Sequence, residues 1–262
     1  MQTSNNHHHD SDKHEYSIKH FAREALHDFT HFDTKFIKTI KPLLFKPGYL
    51  TVKAFSSEQS IYVKPLALFV FLNFLFFLFK SKGLFNYTLN EYQSDSMFAP
   101  FVSNAITQLH ITSQIFAERF NTAMKFEEKE YLVVMVPLFA LILQLQYVFQ
   151  KKHYIEHLVF SLHFYSFFLV FLTVAPLLFY LIGAIYNLLY QNIDFLRTEA
   201  ATLIIILPVF FLYLFFSMRV VYKQKILVTF YKAVFATAGV TGLIFFVYRT
   251  IMFFIVLHSV SE

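Results

Sequence analysis

The sequence predicts an all-α, polytopic membrane protein: a helical bundle of about five transmembrane helices, with its N-terminus inside and its C-terminus outside. The first observation behind this class is composition. Hydrophobic residues fill 56% of the 262 positions and charged residues only 15%, whereas a soluble domain is about 45–50% apolar and about 25% charged. This excludes an ordinary soluble enzyme, a disordered tail and a disulfide-stapled secreted module. Cysteine is absent, which excludes thiolate metal sites and cysteine nucleophiles.

The second observation is a series of five apolar runs, each close to the length that crosses a bilayer. The first run follows Pro65 and, at 1.5 Å per residue, is only about 22 Å long, so we expect its span to begin near Ile61. The last run is interrupted by a single charge, Arg249. The predicted spans are residues 61–79, 131–149, 158–182, 200–220 and 233–257.

The third observation is the uneven distribution of lysine and arginine between the two faces of these spans. Fifteen lie in segments 1–64, 150–157 and 217–232, and six lie in the segments of the opposite face. Because cytoplasmic loops carry the excess of Lys and Arg, the richer face is predicted to be cytoplasmic. This bias also accounts for the net charge of +5, so no nucleic-acid partner is expected.

Residues 1–60 form the predicted cytoplasmic N-terminal segment, and residues 61–262 the transmembrane domain. In the N-terminal segment, apolar residues recur every three or four positions and so share one stripe of a helix, followed by Lys35, Lys38 and Lys41. The stripe consists of Ile18, Phe21, Ala25, Phe29, Phe32 and Phe36. Two interpretations are open: the helix docks on the inner leaflet with its lysines near anionic headgroups, or it packs on the protein's own cytoplasmic loops.

The external loop, residues 80–130, is long enough to fold. Its apolar residues follow helical spacing, which predicts a helix along the outer face. These residues are Val102, Ala105, Leu109, Phe116, Phe120 and Met124. The functional alternative is a lid over an external cavity.

One candidate metal site lies on the opposite face of the N-terminal helix. His20, Glu24, His27 and His31 are four, three and four residues apart, so neighbouring side chains meet and can hold zinc or another transition metal. The alternative is a solvated face on which histidines fall by chance. Apart from such a zinc ion, no cofactor is expected.

A second cluster lies at the cytoplasmic start of the third span and contains His153, Glu156, His157 and His163. His153 and His157 are one helical turn apart and can chelate one ion, whereas Glu156 and His163 are about 10 Å apart along the axis. Ionisable groups inside a span are functional candidates because their burial is costly. Structural anchoring, proton or ligand handling, and metal-dependent chemistry remain open for this cluster.

Arg249 is the remaining candidate. It lies about 13 Å below the outer end of the last span, from where it can reach the outer headgroups. Alternatively, kinks at Pro137, Pro176 and Pro208, all at a similar depth, open an outward-facing vestibule in which Arg249 binds an anionic lipid or solute.

Two segments resemble a known family. The first is LLFKPGYLTVKAFSSEQSIYVKPLALFVFLNFLFFLF, and the second, VPLFALILQLQYVFQKKHYIEHLVFSLHFYSFFLVF, contains Glu156, His157 and His163. Both are similar to signatures of the bacterial membrane family named domain of unknown function 3667, over about residues 15–180. Many members begin with a cysteine-rich zinc ribbon that this chain lacks, and SSEQS at residues 56–60 replaces a basic patch. The resemblance implies a membrane topology in a bacterial inner membrane and points to Glu156, His157 and His163, but it implies no reaction.

The expected function is therefore that of a non-enzymatic envelope component, which binds or moves a lipid or small solute or serves as an accessory subunit. No nucleotide-binding loop, serine-hydrolase elbow or HExxH motif is present. The alternative is an intramembrane metal-dependent hydrolase or transferase that uses His153, Glu156, His157 and His163. The expected partners are the lipid bilayer, an anionic lipid or small solute, and another protein or a second copy of the chain.

Overall fold

The structure, a computed structural model, describes residues 34–79, 87–127, 132–189 and 199–261, with the side chains of 79, 126–127 and 176–205 left out. Within these ranges every regular element is a helix, so the all-α prediction is confirmed. The elements are α1 (residues 34–45), α2 (Tyr49–Lys53), a 3₁₀ helix (Ser57–Ile61), α3 (Pro65–Phe79), α4 (Leu89–Gln93), α5 (Ala99–Leu109), α6 (Ser113–Glu127), α7 (Leu132–Gln146), α8 (Tyr154–Leu189), α9 (Glu199–Tyr222), α10 (Ile226–Gly242), a π-helical segment (Leu243–Tyr248) and α11 (Arg249–Ser261).

Within the described ranges, three helical stretches are long and apolar enough to cross a membrane: Ser57–Leu78, Tyr154–Ala175 and Ile226–Ser261. Leu132–Gln146 and Ile206–Tyr222 are shorter apolar helices. Helix α8 begins four residues before the predicted span, and α10 begins seven before it. Helical hydrogen bonding can continue past the apolar run, since the polar ends of a span lie in the headgroup region.

Helix α8 is the centre of the bundle. It packs against α2, α3 and α7, and every residue from Phe160 to Leu169 is buried. Aromatic rings join it to its neighbours: Phe139 of α7 lies 5.3 Å from Phe164, and Phe168 lies 4.9 Å from Phe210 of α9. Phenylalanine is flat and makes tilted or edge-to-face contacts of this kind, so much of the abundant Phe serves helix packing.

One end of the bundle, which we term the basic end, is where α7 and α9 end and α8 and α10 begin. Its lysines include Lys151, Lys152, Lys223 and Lys225. Gln150, after α7, donates from Nε2 to the Tyr222 carbonyl at 3.2 Å and so joins two of these helix ends. Helix α2 packs against α8 and α9 near this end.

The described part of the N-terminal segment packs on the protein's own helices. Thr39 and Leu43 of α1 are fully buried, and the Tyr213 hydroxyl of α9 donates to the Leu43 carbonyl at 3.0 Å. Thr39 Oγ1 accepts from the Val63 amide at 3.0 Å, which ties α1 to the start of α3. Of the apolar stripe only Phe36 lies within the described residues.

The turn between α1 and α2 depends on Gly48. Its φ of +79° belongs to the left-handed region, and the glycine lies directly against α9. A Cβ at this position would lie 2.7 Å from the Ser217 carbonyl oxygen and 3.1 Å from Val220 Cβ. Glycine therefore allows both the turn and the close approach of the two backbones.

The described part of the segment predicted to be external folds as three helices, α4, α5 and α6, not as the single predicted one. His110 has a φ of 52°, which ends α5 before α6 begins. Three residues of the helically spaced apolar set, Phe116, Phe120 and Met124, lie in α6 and are buried. Helix α6 packs against α11, so that α4–α6 form a cap at the end opposite the basic end; we term it the external cap after the predicted external loop.

Candidate functional site

Two of the candidates lie at the start of α8: His153 directly precedes the helix, and Glu156 is in its first turn. His153 is exposed, and Glu156 is half-buried and forms an ion pair with Lys152, one helical turn away. An acidic side chain in the first turn also interacts favourably with the helix dipole. These contacts anchor the helix start and neutralise the carboxylate.

His157 belongs to a separate structure at the basic end, the aromatic stack, formed by Tyr147, His157 and Tyr222. The rings of Tyr147 and Tyr222 are stacked with centroids 3.7 Å apart and planes 10° from parallel. His157 Nδ1 lies 2.8 Å from the Tyr222 hydroxyl, and its ring is stacked beside Tyr222 at 5.5 Å. The stack therefore joins the ends of α7 and α9 to the start of α8.

Lysines flank the aromatic stack. Lys232 of α10 has its Nζ 3.7 Å from the centroid of the Tyr147 ring, and Lys152 Nζ lies 5.9 Å from that of Tyr222. Sequence reasoning missed Tyr147, Tyr222 and Lys232. The available signal was that each tyrosine ends an apolar run, where aromatic residues commonly lie at the membrane interface.

His163 lies deeper in α8 and contacts the N-terminal segment. Its Nδ1 is 3.0 Å from Thr51 Oγ1 of α2, and both side chains are buried. A small pocket beside this pair has room for about one water molecule. It is lined mainly by Pro42, Leu43, Lys46, Thr51, His163 and Tyr213. The pair holds α2 against α8, because each buried polar group satisfies the other.

Arg249 begins α11, directly after the π-helical segment, and contacts the external cap. Its Nη1 lies 3.0 Å from Asp95 Oδ2, and its Nη2 donates to the Glu91 carbonyl at 3.2 Å. Three rings surround the guanidinium at 5.1–5.5 Å: Tyr87, Tyr92 and Phe98. The structure places the side chain against these protein partners, and its contact with the outer headgroups stays a prediction. Anion binding by Arg249 stays a prediction.

Tyr87 and Tyr92 of the external cap stay protonated beside this arginine. Burial raises the pKa of the Tyr87 phenol to about 12 and that of Tyr92 further, although the nearby Arg249 charge acts in the opposite direction. The neutral Tyr92 hydroxyl donates to the Arg249 carbonyl at 3.1 Å. The arginine is thus bound through both its side chain and its backbone.

Metal binding was a further candidate role. Among the residues that the structure describes, no three His, Asp or Glu side chains lie close enough to hold one ion. The four candidates of α8 therefore share no ion position there: His157 and His163 have different partners, and Glu156 pairs with Lys152. The predicted zinc set His20, Glu24, His27 and His31 lies outside the described residues.

Comparison with known families gives one match, which begins just before α1 and ends within α3. Comparison with curated proteins and with solved structures gave no match. The matched segment contains Gly48 and Thr51, which hold it against α9 and α8. The second resembling segment, residues 136–171, lies outside the match, and its resemblance stays a prediction. Over residues 33–77 the chain matches the family described as "Protein of unknown function (DUF3667)", which confirms the resemblance for that segment.

Proposed function

We propose that the protein is a five-span, non-enzymatic component of a bacterial inner membrane, which binds anionic lipid at its cytoplasmic interface. The basic end is the cytoplasmic end in this proposal. The observation that carries it is the exposed face of α1 and α2.

That face is both apolar and basic. Ile37 and Phe45 of α1 are 70% and 77% exposed, and their spacing of eight residues places them on one side of the helix. Lys38 and Lys41 are exposed between them. The opposite side of α1, by contrast, is buried against the bundle.

Such a face is suited to the boundary between headgroups and acyl chains. Exposed apolar side chains continue beyond α1 at Val52 and Phe55. Each lysine near an anionic surface contributes about 1 kcal/mol, and the apolar side chains gain by leaving water. Because α1 and α2 are already packed on α8 and α9, membrane binding does not require them to fold first.

Five spans are supported by the helices as well as by the Lys/Arg bias. Helix α9 has 24 residues and is about 36 Å long at 1.5 Å per residue. Helix α7 has only 15, but the apolar Val148 and Phe149 follow it and are exposed. Locally thinned bilayer or flanking residues can accommodate such a short helix.

Single cysteines test the topology cleanly, because the chain has none of its own. We expect Ser103→Cys and Ser259→Cys to react with a membrane-impermeant maleimide in intact cells. Ser57→Cys, Lys151→Cys and Lys225→Cys should react only after permeabilisation. All five positions are exposed, so burial does not limit labelling.

Lys151 is the decisive position in this experiment. If only the three long apolar stretches crossed the membrane, Lys151 would lie on the same side as Ser103. Labelling of Lys151→Cys in intact cells would therefore contradict five spans, whereas its protection, together with labelling at Ser103, would support them.

Lipid contact of the exposed face can be measured with a single tryptophan, since the chain also lacks this residue. We expect Phe45→Trp to show blue-shifted emission and quenching by lipids brominated near the headgroup. Quenching should be stronger in bilayers that contain phosphatidylglycerol than in phosphatidylcholine alone, because of the neighbouring lysines.

The matched control is Thr122→Trp, on the exposed polar side of α6. Its emission should be that of a residue in water, without quenching from the lipid phase. Water-like emission from Phe45→Trp, equal to that of the control, would contradict the proposed function.

A further inference from the structure

Lys232 is a half-buried cation at the surface of the bundle, without an anionic partner among the described residues. It lies seven residues after Lys225, the residue that precedes α10, and thus about 10 Å further along the axis. It is half-buried, and no carboxylate of the described residues pairs with it. Lys152, on the other side of the aromatic stack, is by contrast neutralised by Glu156.

The geometry of the stack fixes where the Lys232 ammonium lies. Tyr222 covers one face of the Tyr147 ring at 3.7 Å, so Lys232 must lie over the opposite face. The Tyr147 hydroxyl is buried and has no hydrogen-bond partner within the described residues. The Lys232 ammonium and the unpaired Tyr147 hydroxyl therefore belong to two side chains that are in direct contact.

The surface on both sides of this pair is apolar and exposed. On α10 it consists of Tyr231 and Phe235, which are exposed. Beside Tyr147 it consists of Leu145 and Phe149, the latter 98% exposed. In a bilayer these side chains would contact acyl chains, while the lysine at the basic end would be at the depth of the headgroups.

We propose that Lys232 and Tyr147 bind the phosphate of one anionic lipid, whose acyl chains lie against the exposed apolar side chains of α7 and α10. The inference rests on the proposed function, because it requires the basic end to lie at the headgroups. A phosphate oxygen accepts from both the ammonium and the phenol, and this satisfies two groups that are otherwise costly to bury.

The experiment uses the full chain, purified and delipidated in detergent, with bound lipid counted by native mass spectrometry. We expect one phosphatidylglycerol to bind in preference to phosphatidylcholine. The affinity for phosphatidylglycerol should fall about five- to tenfold in Lys232→Gln. Lys232→Arg should retain it, because the charge is kept. Tyr147→Phe should reduce it less, since the ring that packs beside Tyr222 is kept.

The matched control is Lys125→Gln, the same change at an exposed lysine of the external cap. It should bind phosphatidylglycerol as the unaltered protein does. Thermal unfolding is the second readout: phosphatidylglycerol should raise the Tm of the unaltered protein and of Lys232→Arg, but not that of Lys232→Gln. Inorganic phosphate at the same concentration should have no effect.

Equal phosphatidylglycerol binding by Lys232→Gln and Lys125→Gln would overturn the site. A Tm increase with inorganic phosphate alone, dependent on Lys232, would assign the position to a soluble phosphate and overturn the lipid. Neither result would change the quenching of the tryptophan at position 45, which tests the proposed function separately.

Discussion

Gly48→Ala is expected to lower the free energy of unfolding by about 2–5 kcal/mol. This loss combines the cost of a left-handed backbone for a residue that has a Cβ with the cost of overpacking the contact. The φ of +79° disfavours alanine, and the new Cβ would lie 2.7 Å from the Ser217 carbonyl oxygen. Backbone cannot move aside as a flexible side chain can, so α2 must separate from α9. Denaturant titration of the protein in mixed micelles measures the loss.

The chain offers two matched controls for this substitution. Apart from its own helix backbone and chain neighbours, no atom of the described residues lies within 4 Å of a Cβ added to Gly242. Gly242→Ala should therefore be neutral or stabilising by up to about 1 kcal/mol. Gly239→Ala should fall between the two, because only the Ile142 side chain of α7, at 3.2 Å, has to shift. If Gly48→Ala were as stable as Gly242→Ala, the described packing of α2 on α9 would be incorrect.

The separation of α2 from α9 should also disturb the contact between Thr51 and His163. Thr51 lies three residues after Gly48 and contacts His163 Nδ1 at 3.0 Å. Displacement of α2 leaves this buried imidazole without its partner, which adds to the cost of the substitution. The family match at residues 33–77 thus coincides with a segment whose position depends on one glycine.

Arg249→Met is the second substitution with a large expected effect, a loss of about 2–4 kcal/mol from charge-assisted hydrogen bonds and contacts with aromatic rings. Methionine removes the ion pair with Asp95 and the bond to the Glu91 carbonyl. Solvent screens the ion pair in part, since both side chains remain 22–31% exposed. The loss should be concentrated in the external cap.

Hydrogen exchange distinguishes this local effect from general destabilisation. In Arg249→Met the amides of α4 should exchange faster, while those of α8 should exchange as before. Arg119→Met, at an exposed arginine of α6, is the control and should change stability by less than about 0.5 kcal/mol. Unaltered exchange in α4 would show that Arg249 does not hold the cap.

Much of the fold could be predicted from local sequence. The apolar runs predicted α3 and α7–α11, because a helix is the way to satisfy backbone hydrogen bonds in an apolar medium. Helical spacing also predicted a helix over the residues of α6, and the apolar residues with that spacing are buried. It could not predict the break at His110, since a single residue with positive φ leaves no signal in the hydropathy pattern.

The candidate site could be predicted only in part. The polar residues at the start of α8 marked the correct region, but their partners are far away in sequence. His157 contacts Tyr222, 65 residues away, and Arg249 contacts Asp95, 154 residues away. Such pairs depend on which helices are neighbours and on how each is rotated about its axis.

By itself, the sequence determined that the protein is helical, apolar enough for a membrane, and strongly biased in its lysine and arginine. Only the tertiary structure decided that His157 joins an aromatic stack, that Lys232 covers Tyr147, and that α2 closes against α9. The physical reason is that a helix which is apolar on every side presents an apolar surface whichever way it is rotated about its own axis. Hydropathy therefore does not distinguish one rotation from another. Contacts between specific side chains, not hydrophobicity, select one arrangement.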